Sequence, residues 1–156
     1  MSTLLILLSM WTVPLIIGLL FFVIIHFLTR KLDQPSNALE VTLDEVSSTN
    51  LPVNIAAMWS YFFGVFGGVT FFLLERKSWF VSFHAAQSLL VFGGLMVIGV
   101  LSDIDPTLGF YLGASSTTLG WFLWMYLIVM AYKGKVIVMP LVGGVACNIS
   151  KKKIKS

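Results

Sequence analysis

Four long apolar stretches dominate this sequence and limit what it can fold into. Each has at least 22 residues and contains no charged side chain. An α-helix rises 1.5 Å per residue, so each stretch is long enough to cross the ~30 Å hydrocarbon core of a bilayer. We therefore predict an all-α integral membrane protein, one membrane domain over residues 1–156, with four transmembrane helices. The predicted spans are residues 4–28, 53–74, 80–101 and 109–132.

Composition supports the membrane class and excludes several others. Only 11% of the residues are charged, whereas a soluble domain has roughly 25%. The basic residues lie at the ends of the apolar stretches, so no folded basic face is expected and nucleic-acid binding is not predicted. Two histidines and one cysteine, without CxxC or HxxxH spacing, predict neither a metal site nor a cofactor.

The segments between and after the spans are of different kinds. Residues 29–51 form the one extended polar loop. Residues 136–149 are apolar but number only 14 and are interrupted by Pro140, so they predict an interfacial or re-entrant segment and not a fifth crossing. The chain then ends in a basic tail, expected to face anionic lipid. Its lysines are Lys151, Lys152, Lys153 and Lys155.

The distribution of basic residues predicts an orientation. Four crossings place both termini on one side, and eight of the ten Lys and Arg residues then lie on that side. Basic residues accumulate on the cytoplasmic side of membrane proteins. Both termini are therefore predicted to be cytoplasmic or stromal, in a bacterial plasma membrane or an organellar inner membrane. Arg30 and Lys31, directly after the first span, argue for the opposite sense of that helix.

One polar cluster lies inside a predicted span. His84, Gln87 and Ser88 are spaced i, i+3 and i+4 and so share one face of the third helix. Polar side chains within the membrane are candidates for function, because their burial is costly. Alternatively, they hydrogen-bond to neighbouring helices or to the Pro140 segment. They form the candidate functional face of this chain.

Glycines recur at helical spacing in the second, third and fourth spans. Small residues allow neighbouring helices to approach closely, so these positions predict helix packing. A glycine-lined pore is the alternative interpretation for the second span. The predicted packing positions are Gly64, Gly68, Gly94, Gly109, Gly113 and Gly120.

Two short motifs resemble a known family. The first is Phe80-Val81-Ser82-Phe83-His84-Ala85-Ala86-Gln87-Ser88, and the second is Ala131-Tyr132-Lys133-Gly134-Lys135 with Met139-Pro140-Leu141-Val142-Gly143 after it. Together they resemble a family of small, uncharacterised prokaryotic four-helix membrane proteins. That family is similar to the channel-like subunit of the chloroplast inner-envelope protein translocon. The resemblance implies a helical membrane fold and, distantly, a role around protein translocation.

These observations favour a non-catalytic membrane protein. Its expected partners are the lipid bilayer and other membrane subunits or a second copy, and its expected role is a structural or accessory subunit of a complex. The alternative is an oligomeric conduit whose inner vestibule is lined by His84, Gln87 and Ser88. An enzyme is not predicted, because His84 and Ser88 lie one turn apart on one helix with no acidic partner nearby. A proton-coupled carrier that uses His84 is a further alternative.

Overall fold

The protein is described from a computed structural model. Its backbone is described for residues 3–31, 46–102 and 106–155, and its side chains for residues 12–27, 46–102, 106 and 109–151. The described residues form six α-helices and no strand. Most of the predicted polar loop, residues 32–45, lies outside the described residues. The helices are α1 (Thr3–Lys31), α2 (Val53–Phe62), α3 (Val65–Leu74), α4 (Trp79–Leu101), α5 (Pro106–Tyr132) and α6 (Gly143–Lys155).

Three of the four predicted spans are single long helices. The first span is α1, which continues through Pro14 without a break over 29 residues. The third and fourth spans are α4 and α5, and both are long and apolar enough to cross a membrane. The prediction of an all-helical protein is therefore confirmed, whereas the count of four crossings is not.

The contacts of helix α5 show the relative directions of the three long helices. Gly18 of α1 contacts Thr118, and the Phe22 ring packs against Phe122 in a tilted arrangement and against Tyr126 edge to face, further along α5. Residue numbers rise together along this contact, so α1 and α5 are parallel. Helix α4 runs the other way, because its last turn, at Ser102, packs beside the first turns of α5.

The predicted second span, residues 53–74, is wrong as a single helix. It is a hairpin of two helices, α2 and α3, separated at Gly64. The backbone N–H of Ser48, before α2, donates to the Glu75 carboxylate, after α3, at 3.1 and 3.2 Å. The two ends of this segment therefore lie side by side, and the segment does not run from one end of the molecule to the other.

Glycines explain why the chain turns at this point. Gly64 has φ +55° and ψ −124°, a conformation that L-amino acids with a side chain rarely adopt. A Cβ atom at Gly67 would lie 2.8 Å from the carbonyl oxygens of Trp59 and Ser60, so only glycine allows α3 to fold back this closely on α2. The GxxxG spacing that predicted a packing face instead contains a helix break.

The first and the last helix lie at different ends of the helix bundle. Helix α1 begins at the end of the molecule where α5 begins, because the two helices are parallel. Helix α6 instead packs against the first half of α4, where Ala146 lies in one cluster with Phe83 and Ala86. The start of α1 and helix α6 therefore lie toward opposite ends of the described bundle.

The other predicted packing glycines fall into two groups. A Cβ atom at Gly68 would lie 2.8 Å from the backbone nitrogen of Leu89, and Gly109, Gly113 and Gly120 also contact α4. In contrast, a Cβ atom at Gly94 would have no neighbour within 4 Å among the described residues. Five of the six predicted positions thus lie close to α4 or to its C-cap residue Ser102, and one of them, Gly64, is also the N-cap residue of α3. Gly94 faces open space.

Candidate functional site

The predicted polar face of α4 is completely buried. His84, Gln87 and Ser88 are each 0% exposed, and they lie between the α2–α3 hairpin and the irregular segment 133–142. We call this contact region the polar seam; it comprises these three residues, Tyr61 of α2 and the backbone of Lys135 and Met139. The structure therefore brings the three predicted residues together with two segments that are distant in sequence.

A relay of hydrogen bonds runs through the polar seam. The backbone N–H of Met139 donates to Gln87 Oε1 at 3.4 Å, and Gln87 Nε2 donates to the Tyr61 hydroxyl oxygen at 3.2 Å. The Tyr61 hydroxyl lies 3.0 Å from His84 Nδ1. Because its oxygen already accepts from Gln87, we assign the Tyr61 proton to the bond with Nδ1, which leaves the imidazole proton on Nε2.

The relay begins at the irregular segment, and its last member, His84, lies close to the same segment. The Lys135 carbonyl lies near the imidazole, although His84 Nε2 makes no hydrogen bond of good geometry with the described residues. Met139 N–H and the Lys135 carbonyl belong to a stretch without helical hydrogen bonds. Non-helical backbone at membrane depth is tolerated where protein groups satisfy it, and Gln87 supplies such a group for the Met139 N–H.

Ser88 and Trp124 satisfy the break in the hairpin. The Ser88 hydroxyl donates to the carbonyls of Ser60 at 2.8 Å and Gly64 at 3.0 Å. The Trp124 indole N–H donates to the carbonyls of Tyr61 at 3.0 Å and Phe62 at 3.2 Å. The last carbonyls of a helix have no partner within the helix, so these side chains supply donors to the Ser60 and Phe62 carbonyls at the end of α2. The carbonyls of Tyr61 and Gly64 also accept backbone hydrogen bonds, from Gly64 and Gly68.

The break lies near the middle of α4. Ser88 is nine residues from the start of that helix at Trp79, a distance of about 14 Å. This is close to half of a ~30 Å hydrocarbon core. The hairpin therefore reaches the midpoint of α4 and returns.

Glu75 joins the two ends of the hairpin through hydrogen bonds. Its carboxylate accepts hydrogen bonds from the Ser48 hydroxyl at 2.8 Å and from the backbone of Lys77 and Ser78 at 2.8 and 2.9 Å, besides those from the Ser48 backbone. Burial by itself raises the pKa of a carboxyl, but these hydrogen bonds outweigh burial and lower the pKa of Glu75 below its ordinary value. Glu75 is therefore held as a carboxylate.

Sequence reasoning missed Tyr61, Trp124 and Glu75. Tyr61 and Trp124 stand in apolar spans, where an aromatic residue is ordinarily part of the packing, so their polar atoms gave no distinct signal. Glu75 is one of four residues in a charged turn and was interpreted only as part of that turn. Its one available signal was its sign, because it is the single acidic residue beside Arg76 and Lys77.

The arrangement of the polar seam does not match a nucleophile and its base. The Ser88 hydroxyl proton is donated to backbone carbonyls, whereas His84 Nδ1 interacts with Tyr61. A hydrolytic pair needs the serine to donate to the base. Among the described residues, no three His, Cys, Asp or Glu side chains converge in a way that could hold a metal ion.

The predicted basic tail belongs to α6. The backbone of α6 extends to Lys155, and Lys151 is exposed. The side chains of Lys152, Lys153 and Lys155 lie outside the described residues.

Comparison with known proteins returns archaeal membrane proteins. A UPF0132 membrane protein of Methanocaldococcus jannaschii is 37% identical over 105 residues, which cover 67% of this chain and 94% of the relative. One from Archaeoglobus fulgidus is 33% identical over 93 residues, 60% of this chain and 90% of the relative. No family model matches the chain, and no solved structure matches it. The predicted likeness to prokaryotic membrane proteins is confirmed, while the likeness to the chloroplast translocon subunit stays a prediction.

Proposed function

We propose, since the chain belongs to the UPF0132 family of membrane proteins, that it acts as a non-catalytic, multi-pass subunit of a membrane complex, in a structural or accessory role. The observation that carries this proposal is the use of the polar seam. His84, Gln87 and Ser88 bind the hairpin and the 133–142 segment, so the candidate functional residues hold the fold together. The exposed surface is therefore left for function, and a surface functions by binding partners.

A purification tests this proposal. The tagged full-length protein is extracted from its own membrane in mild detergent, and the proteins that accompany it are identified by mass spectrometry. Gly94→Leu is compared with wild type, because position 94 faces open space and the larger side chain changes the surface without a clash inside the fold. Val23→Leu, at an exposed position of α1, is the matched control.

We expect a defined set of partners with wild type and the control. A weaker association of these partners with the Gly94→Leu variant would show that they bind at α4. Wild-type protein that purifies as a monomer without partners contradicts the proposal.

We also propose three membrane crossings, α1, α4 and α5, with α2–α3 as a re-entrant hairpin. This differs from the predicted four crossings. The support is the position of the basic residues relative to the three long helices. Arg30 and Lys31 end α1, Arg76 and Lys77 precede α4, and Lys133 and Lys135 follow α5. These ends coincide, because α1 and α5 are parallel and α4 is antiparallel to both.

All ten Lys and Arg residues then lie on one side, since the four lysines of the tail follow on α6. The four-crossing prediction left Arg30 and Lys31 on the wrong side; the re-entrant hairpin removes that conflict. The positive-inside rule makes this basic end cytoplasmic. The C-terminal segment is then cytoplasmic, as predicted, and the N-terminus is on the opposite side.

Cysteine labelling tests the orientation. In a Cys147→Ala background, single cysteines at Ser2, at Lys77 and at Lys133 are treated with a membrane-impermeant maleimide in sealed vesicles. We expect position 2 to react from the side opposite to positions 77 and 133. Reaction of all three positions from one side supports four crossings and contradicts this topology.

A second function, an oligomeric conduit related to protein translocation, is favoured by one observation. The hairpin brings a broken helix to the middle of the membrane, and channels and transporters use broken helices at that depth. Reconstituted vesicles test it through conductance and through crosslinks to a translocating peptide. A Trp124→Phe variant, which removes the indole N–H that holds the break, is expected to change either signal; the absence of both signals in wild type rejects the conduit.

A further inference from the structure

The turn before α6 presents an unusual exposed leucine. Leu141 is 98% exposed, and its φ of +72° is a conformation that a leucine rarely adopts. Met139 and Pro140 precede it, and the backbone N–H of Met139 donates a hydrogen bond to Gln87 in the polar seam. The turn is therefore anchored on one side and projects a large apolar side chain away from the protein on the other.

Helix α6 has three distinct sides. Ala146 and Ser150 are buried and belong to the side that faces the protein. Val145 and Ile149, four residues apart, are 48% and 40% exposed and form a second, apolar side. Leu141 lies in the turn just before the helix begins at Gly143. Asn148 is also exposed, and at 100° per residue it lies on a third, polar side together with Lys151.

The depth of α6 matches the interface of a bilayer. Ala146 packs with Phe83 and Ala86 of α4, which are four and seven residues from the start of that helix at Trp79. These positions lie about 6 and 11 Å below its end. Amphipathic helices bind with their apolar side about 5–10 Å into the boundary between headgroups and acyl chains.

We propose that α6 and the turn before it form a binding site for anionic phospholipids. Leu141, Val145 and Ile149 insert between acyl chains, and the lysines at the end of α6 bind the headgroup phosphates. The inference rests on the proposed topology, in which the basic end faces the anionic cytoplasmic leaflet.

Charge complementarity selects lipid as the occupant of this surface. The end of α6 has four lysines within five positions, 151–155. Glu75, the acidic residue described at this end of the molecule, already accepts hydrogen bonds from Ser48, Lys77 and Ser78. A phosphate-bearing membrane surface supplies the negative charge that such a cluster attracts.

Spin labelling of the full chain tests the insertion. In the Cys147→Ala background, Ile149→Cys and Asn148→Cys are labelled, and the protein is reconstituted with phosphatidylcholine alone or with added phosphatidylglycerol. We expect the label at 149 to be accessible to oxygen and the label at 148 to a water-soluble nickel complex. The difference should grow with phosphatidylglycerol content. Similar accessibility at both sites, or protection of position 149 from both reagents by a covering protein, overturns the proposal.

Native mass spectrometry tests the headgroup preference. Lys151→Gln with Lys152→Gln should reduce the preference for phosphatidylglycerol over phosphatidylcholine about fivefold per lysine. The control, Lys77→Gln with Lys133→Gln, removes two charges from the same end but not from α6. An equal loss in the control contradicts a site on α6. Both experiments are independent of the labelling that tests the topology, so a wrong orientation and a wrong lipid site give different results.

Discussion

At the scale of single residues, polar atoms in this protein compensate for irregular backbone. Ser88 and Trp124 donate to carbonyls at the break around Gly64, among them those of Ser60 and Phe62 at the end of α2. Gln87 joins the hairpin to the segment before α6 through its two amide atoms. The cost of an unpaired backbone group in an apolar medium explains why serine, tryptophan and glutamine stand at these three positions.

Ser88→Ala tests the contribution of the bridging hydroxyl. The change leaves two backbone carbonyls without this donor and should lower the free energy of unfolding by about 1–2 kcal/mol. Unfolding in mixed micelles with a denaturing detergent measures it. Ser116→Ala is the control, because its hydroxyl bonds Gly113 within its own helix. Equal losses in the two variants would show that Ser88 has no special role.

Substitution by alanine is expected to change the stability of the fold differently at two of the glycines. A Cβ atom at Gly68 would meet the backbone of α4 at 2.8 and 3.0 Å, so Gly68→Ala should destabilise the fold by about 1–3 kcal/mol. At Gly94 there is space, so Gly94→Ala should leave stability unchanged or raise it by up to ~1 kcal/mol. The same unfolding measurement compares them, and a harmless Gly68→Ala would contradict the close contact of α3 with α4.

At the scale of elements, the hairpin α2–α3 is the part of the fold that the sequence pattern did not predict. Its 22 residues carry no charge, are mostly apolar and match the length of one crossing. Each of its helices has 10 residues, a length of about 15 Å. Apolar composition is the same for a helix that crosses and for two helices that turn back, so composition does not distinguish them.

Crosslinking tests the closure of the hairpin. The backbone N–H of Arg76 donates to the Ser48 hydroxyl at 2.9 Å, so Ser48→Cys with Arg76→Cys, in a Cys147→Ala background, should be joined by a short bis-maleimide. Ser48→Cys with Ser102→Cys is the control, because Ser102 lies at the opposite end of α4. Failure of the first pair, or reaction of both, contradicts the hairpin.

The Glu75 contact predicts a dependence on pH. Because the folded-state pKa of Glu75 lies below its ordinary value of 4.5, the contact stabilises the hairpin fully above that ordinary value. It is lost as pH falls through the lowered pKa. The free energy of unfolding in mixed micelles, measured between pH 3 and 7, should fall below about pH 4.5. Glu75→Gln should give a lower value and a smaller change with pH in that range.

At the scale of the whole molecule, the distribution of basic residues agrees with the directions of the three long helices. The three long helices bring all basic residues to one end, and the opposite end has Asp103 and Asp105 in the sequence between α4 and α5. Basic residues retained on one side resist translocation, whereas acidic residues contribute little to orientation. In the proposed topology, the basic residues therefore set the orientation of the molecule.

Reversal of charge at the opposite end tests this statement. Asp103→Lys with Asp105→Lys places two basic residues between α4 and α5 and should produce a mixture of orientations. Cysteine labelling at position 77 measures the two populations. Asp103→Asn with Asp105→Asn should keep the single orientation. A single orientation with the two lysines would show that helix packing, and not charge, sets the topology.

The sequence by itself determined the class of this protein, the extents of α1, α4 and α5, and the residues of the polar face on α4. These features depend on local properties, namely apolar length and helical spacing. Only the tertiary structure decided that residues 53–74 turn back, that Tyr61 and Trp124 complete the site, and that Gly94 faces open space. Those features depend on contacts between residues up to 63 positions apart. The turn at Gly64 arises because a positive φ, a close approach of two helices and donors from α4 and α5 coincide there, and no single segment contains all three.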